Sequence, residues 1–172
     1  MKHQTPLRIY SFDAYDRHLC LKPSLAMFLV LSYSVRHLLL VFLLYFPFVM
    51  RPVDMATLKH LMATSLGVSL GIADLPALLV LLAWRHRRPE AGTAWRWLWR
   101  QGRLALLTTL VGQGALLMGT QAEQLWIGGE QGALLAICLI AQGWALTYVV
   151  FSRRLADVFR DFPAPPRDEM IG

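Results

Sequence analysis

Apolar residues gather into four long runs, at 24–49, 57–84, 104–120 and 131–151, with short polar stretches between them. Each run is near the length of about 20 residues that crosses a ~30 Å hydrocarbon core. None alternates as a half-buried strand would, so each predicts a helix. The fold class expected is all-α: an integral membrane four-helix bundle over 24–152. Flanking it are an N-terminal tail, 1–23, and a C-terminal tail, 153–172. Between Tyr10 and Lys22, the residues Phe12, Tyr15 and Leu19 recur at helical spacing, which predicts a short amphipathic helix lying on the membrane interface. After Phe151 a second amphipathic stretch runs through Leu155, Val158, Phe159 and Phe162, and PAPP ends it. Pro23 suits the first turn of the first span, Pro47 and Pro52 bracket the outer turn, and Asp54 can cap the second helix.

Composition strengthens this picture. The chain has 172 residues, 56% of them hydrophobic, which is too apolar for an ordinary soluble domain. The first run is too long for an apolar signal core and lacks a small-x-small cleavage site, so we read it as a retained helix. Lys2, Arg8, Arg17 and Lys22, the central group Arg85, Arg87, Arg88, Arg96, Arg100 and Arg103, and Arg153, Arg154, Arg160 and Arg167 fall on one side of the four spans. Only Arg51 and Lys59 fall on the other, so both termini are expected in the cytoplasm. The net charge of +6 is thus a topology signal and a contact with anionic lipid headgroups. The basic residues flank spans and form no groove or stacking motif, so nucleic acid is not an expected partner.

Charge inside the spans is the most informative chemistry, because it costs several kcal/mol and persists only when paired or functional. Arg36 lies in the first span and Asp74 in the second. Counted inward from the basic side, Arg36 reaches a depth of ~18 Å and Asp74 ~15 Å. Gln113 and Gln142 in the third and fourth spans reach ~14–15 Å. Each helix therefore places one strong polar side chain in a common layer. The expected arrangement is a buried Arg36–Asp74 ion pair buttressed by the two glutamines. A polar path or a contact with a partner subunit remains an alternative. Pro76 removes one backbone donor near Asp74 and frees a carbonyl for Arg36 or a glutamine. On a continuous helix His37 points about 100° away from Arg36. His37 and His60 have no further ligand at metal-site spacing.

Small residues predict close helix packing: Gly67 and Gly71, Gly112 with Ala115 and Gly119, and Gly128 with Gly132. The central segment WRWLWRQGR, with Trp95, Trp97, Trp99, Arg96, Arg100 and Arg103, suits an interfacial anchor, and alternatively a partner-binding hot spot. Cys20 and Cys138 offer neither a disulfide framework nor metal spacing. No P-loop, nucleophile elbow, zinc-protease motif or pair of catalytic carboxylates is present, so no cofactor, metal or enzymatic activity is expected.

The stretch FDAYDRHLCLKPSLAMFLVLSYSVRHLLL resembles the start of the YfeZ-like inner-membrane proteins of Gram-negative bacteria, a family of unknown function. The shared features are the acidic and aromatic stretch from Asp13 to Asp16, Leu21-Lys22-Pro23, and a span with an internal arginine, Arg36. LGVSLGIADLPALLVLLAWRHRR is similar to that family's second span, with its glycines and its Leu-Pro followed by basic residues. Ser24 stands where the family often has a second proline, and Asp74 is outside its motif. The resemblance implies a bacterial inner-membrane location and no particular reaction. The expected function is a small accessory or assembly subunit, bound to another membrane protein or to copies of itself. The alternatives are an oligomeric transporter or channel using the polar layer, and a membrane enzyme acting on a lipid or quinone.

Overall fold

The computed structural model describes residues 10–16, 20–45 and 65–163. Among them the regular elements are helices. We label these α1 (Leu25–Ser34), α2 (Arg36–Tyr45), α3 (Ser65–Ala73), α4 (Leu75–Arg85), α5 (Thr93–Arg100), α6 (Gly102–Ile127), α7 (Gly129–Phe151) and α8 (Arg153–Arg160). Expectations for His60, Asp54, Leu19, the turn at 46–56 and the tail at 164–172 lie outside the described residues.

The third and fourth apolar runs form the two long helices α6 and α7, packed side by side as a hairpin. Both contain segments long and apolar enough to cross a membrane, Gly102–Glu123 and Gly132–Phe151. These segments are only 28% and 22% buried inside the protein, so most of their apolar surface points outward. The core helix of a soluble protein has the opposite distribution. The hairpin turns at Gly128 and Gly129, whose φ values of 74° and 77° favour residues without a Cβ. Gly128 is therefore a turn residue, exposed to its surroundings, and not the packing residue its spacing predicted. Gly132 is buried as expected, whereas Gly119 is exposed.

The first two runs behave differently. The expected continuous helices at 24–49 and 57–84 are each interrupted, within their described parts. Val35 separates α1 from α2, and Asp74 separates α3 from α4. The two interruptions lie against one another and against α6. On this side α3 comes close to α6: a Cβ built at Gly112 would lie 3.9 Å from the Cβ of Ala73. A Cβ at Gly71 would lie 3.8 Å from the Leu38 side chain of α2, so at both glycines a methyl group would make ordinary contact. Gly67 lies in α3.

The main core cluster joins Val30, Leu31, Ala77, Val80, Leu106, Leu110, Ala145 and Val149 to a cap built from the chain's polar segments. Beyond the polar layer, among the described residues, Leu70, Leu117 and Leu135 form a second cluster.

In the cap, the amphipathic face of α8 is buried against protein: Leu155, Val158 and Phe159 are at most 2% exposed. The sequence had suggested an interfacial segment there. The face is covered because the Phe159 ring fits over Gly102, where a Cβ would come within 2.2 Å of it. The N-terminal segment is not an amphipathic helix over its described residues. It is a single 3₁₀ turn, Phe12–Ala14, followed by a bridge between Tyr15 and Leu21. Tyr10 donates to the carboxylate of Asp157 at 2.7 Å, and the Leu21 amide donates to that of Asp161 at 2.6 Å. The two ends of the described chain thus meet in one structure.

Candidate functional site

The interruption at Val35 exchanges hydrogen bonds with great economy. In a continuous helix the His37 and Leu38 amides would donate to the Tyr33 and Ser34 carbonyls, four residues back. Here they donate to Asp74 Oδ2, at 2.9 and 3.0 Å. The Tyr33 carbonyl accepts from Arg36 Nη1 at 3.0 Å, and the Ser34 carbonyl from Gln113 Nε2 at 2.7 Å. The His37 and Leu38 amides and the Tyr33 and Ser34 carbonyls are thus each engaged by a side chain. In an apolar environment each would otherwise cost several kcal/mol. Charge follows the same logic, with the carboxylate at the amino end of α2 and the guanidinium at the carboxyl end of α1. The helix ladder resumes on both sides, from Val35 to Leu31 at 3.1 Å and from Leu39 to Val35 at 2.9 Å.

Gln113 is the centre of the layer. Its Oε1 accepts from Arg36 Nη1 at 2.9 Å, and its Nε2 donates to Asp74 Oδ1 at 2.5 Å. Its orientation is unambiguous, because a guanidinium only donates and the Ser34 carbonyl only accepts. The direct Arg36–Asp74 ion pair expected from the sequence is not formed. Gln113 stands between the two charges, accepting from one and donating to the other. The carbonyl freed by Pro76 does not take the role foreseen for it either, since Arg36 and Gln113 bond elsewhere.

His37 takes the place expected for Arg36 beside the carboxylate. Its Nδ1 lies 3.1 Å from Asp74 Oδ1, the ion-pair geometry found among the described residues. Asp74 is fully buried and the His37 side chain is 14% exposed. On an unbroken helix its ring would point about 100° away from Arg36, towards a cavity or a partner. The interruption re-aims it. A faint signal was present, since Ser34 lies just two and three residues before Arg36 and His37, and its hydroxyl bonds back to the Val30 carbonyl at 2.8 Å, a contact that bends helices.

The layer reaches α7 through Tyr33, whose hydroxyl donates to the Cys138 carbonyl at 2.8 Å while its ring lies 4.0 Å beneath the Arg36 guanidinium. Gln142 does not join it. Its Nε2 donates to the Leu110 carbonyl of α6, and its Oε1 is buried with no partner. A Cβ at Gly114 would make ordinary contact with the Gln142 side chain, at 3.8 Å.

The tryptophan-arginine segment is dispersed rather than displayed. Trp99 is fully buried. Its indole N–H donates to the Val158 and Asp161 carbonyls at 2.9 and 3.1 Å, and Arg87 lies 5.1 Å over its ring. It is a core residue of the cap, not an anchor. Trp95 stacks on His86 at 4.4 Å, and only Trp97 is largely exposed, at 62%. Arg96 bonds the carbonyls of Ala91 and Pro89, Arg103 bonds those of Val149 and Val150 at the end of α7, and Arg100 is exposed. Among the described residues no three His, Cys, Asp or Glu side chains gather as metal ligands.

Comparison with known proteins places the chain at family level. The family described as protein of unknown function, DUF2919, matches residues 10–161. The chain belongs to that family. The match takes in the cap, both interrupted helix pairs and the α6–α7 hairpin, so the polar layer lies within the DUF2919 region. Neither a curated protein nor a solved structure matches.

Proposed function

We propose that this DUF2919 protein is a four-span inner-membrane protein with both termini in the cytoplasm, serving as an accessory or assembly subunit of a larger membrane complex. The carrying observation is the complete internal use of Asp74. Its two oxygens meet the His37 and Leu38 amides, the Gln113 amide and the His37 ring. A layer so engaged sets helix register, and leaves the outer helix faces as the working surface. Those faces carry Val111, Met118, Leu134, Ile137, Ile140 and Trp144, all exposed on this chain. Lipid or the helices of another subunit suit such a surface. The Tyr10–Asp157 contact supports placing both termini on one side, and the excess of Lys and Arg there supports the cytoplasm. The resemblance to YfeZ-like proteins supports the inner membrane.

The test is isolation from the native membrane at endogenous level in mild detergent, followed by measurement of the mass and composition of what travels with it. A stoichiometric second protein is expected. A homo-oligomer alone, with every membrane complex intact after deletion, would overturn the proposal. It would favour the second reading, an oligomeric transporter. One observation speaks for that reading: two interrupted helices meet at a shared polar layer, an arrangement that transporters use for their binding sites.

A further inference from the structure

Arg36 carries an unused recognition edge. Both of its hydrogen bonds, to the Tyr33 carbonyl at 3.0 Å and to Gln113 Oε1 at 2.9 Å, are made by Nη1. A guanidinium has five N–H donors, and Nη1 supplies two of them. The other three, on Nε and Nη2, donate to nothing among the described residues. The fully buried, unpartnered side-chain nitrogens among the described residues are those of Arg87 and Arg154, so the free edge of Arg36, itself half-buried, reaches the surface of the helical core. The charge is as little answered as the donors. Asp74 takes its contacts from the His37 and Leu38 amides, Gln113 and the His37 ring, and Gln113 stands between it and Arg36. What touches the guanidinium is neutral: a carbonyl, an amide oxygen and the Tyr33 ring, 4.0 Å away.

We infer that the Nε–Nη2 edge of Arg36 receives a carboxylate from an apolar helix of a different membrane protein. A carboxylate accepts two parallel N–H bonds from such an edge and supplies the missing negative charge. Depth excludes a lipid headgroup, because Arg36 lies ~18 Å inward, near the middle of a ~30 Å hydrocarbon core. The rim of the site is apolar. Leu39 and Leu40 follow on the next turn of α2, and Ile137 precedes the Cys138 carbonyl that holds Tyr33; all three are exposed. A helix with aliphatic side chains and one carboxylate matches that rim, whereas a small hydrated anion would lose its water there without compensation. A second copy of this chain does not supply the group. Within the four apolar runs Asp74 is the one acidic residue, and it is fully buried with both oxygens engaged. The inference rests on the accessory-subunit reading and names the chemistry of the contact.

The experiment places the photoreactive residue p-benzoylphenylalanine at Leu40 or at Ile137 of the full chain, irradiates native membranes at endogenous expression, and maps the cross-linked residue by mass spectrometry. Both positions are exposed and leave every hydrogen bond of the layer in place. Expected is one protein other than this chain, caught in an apolar segment within about one helical turn of an Asp or Glu. Replacing that carboxylate by the matching amide should cut the co-isolated partner at least about tenfold, because a buried charge pair loses one member while this chain is unaltered. The same change at an acidic residue elsewhere in the partner should leave co-isolation as it was. Cross-links to lipid or to copies of this chain alone, or to a segment without an acidic residue, overturn the inference, as does an amide variant that binds undiminished. Should a stoichiometric partner travel with the chain yet cross-link at neither position, the carboxylate contact fails while the accessory-subunit reading stands. The absence of any second protein overturns both.

Discussion

The two halves of the helical core start from apolar runs of similar length and end as different structures. In α1–α4 each described run is broken: the break at Val35 is stitched by side chains, two of them charged, and the break at Asp74 falls just before Pro76. In α6–α7 both runs are continuous, and Gln142 merely adds a bond to a carbonyl whose helix is intact. The difference teaches that a buried charge and a broken backbone can solve each other's problem. The break exposes donors and acceptors, which are what a carboxylate and a guanidinium need in an apolar place. A glutamine needs no such exchange, and its helix has no reason to open.

This comparison is easiest to break at Asp74. Asp74→Ala leaves the His37, Leu38 and Gln113 donors without a partner, and should cost about 3–5 kcal/mol, read from reversible unfolding in detergent. Gln142→Leu should cost less than about 1.5 kcal/mol in the same assay, because it removes one supplementary bond and relieves a buried unpartnered oxygen. Equal losses for the two variants would erase the distinction between the halves. A double-mutant cycle sharpens it further. Asp74 and Gln113 should couple by about 1–3 kcal/mol, and Asp74 and Arg36 by less, since Gln113 separates them.

A second contrast sets the cap against the layer. Gly102→Ala drives a Cβ into the Phe159 ring and should destabilise by about 1–3 kcal/mol through overpacking, measurable as a fall in Tm. Trp99→Phe keeps one aromatic ring but loses the indole N–H bonds to α8 and Asp161 together with buried volume, for about 1–3 kcal/mol. The smallest effect concerns Cys20. Its thiol is pushed from the usual 9.0 up to about 11, chiefly by burial and next by the Asp161 charge. A raised acid pKa leaves stability unchanged below pH 9.0 and erodes it as the pH climbs towards about 11. Alkylation of folded protein at neutral pH should be correspondingly slow, and Cys20→Ser should flatten the alkaline decline. Rapid labelling of Cys20 in the folded state would show that the N-terminal segment is not docked on the cap.

Much of the layer was legible in the chain. Arg36, Asp74 and Gln113 stand at one depth because rise per residue is a local, reliable ruler. The same ruler placed Gln142 in the layer, and there it was insufficient, since depth does not say which way a side chain faces. His37 was missed for a related reason. Its direction was calculated from an unbroken helix, and nothing near Val35 in sequence forces a break as a proline would. Trp99 was assigned to the surface because tryptophan beside arginine is common at interfaces. Its burial depends on α8, which returns from the far end of the chain.

By itself, then, the sequence determined the helical class, the two long apolar helices and the positions at which polar atoms enter them. These follow from hydropathy, length and spacing, all properties of neighbouring residues. Only the tertiary structure decided that Asp74 caps a helix 37 positions away, that Gln113 separates the charges, and that His37 faces the carboxylate. Opening a backbone ladder in an apolar setting is tolerable only when side chains from other helices supply the missing partners, and one helix read alone does not contain them.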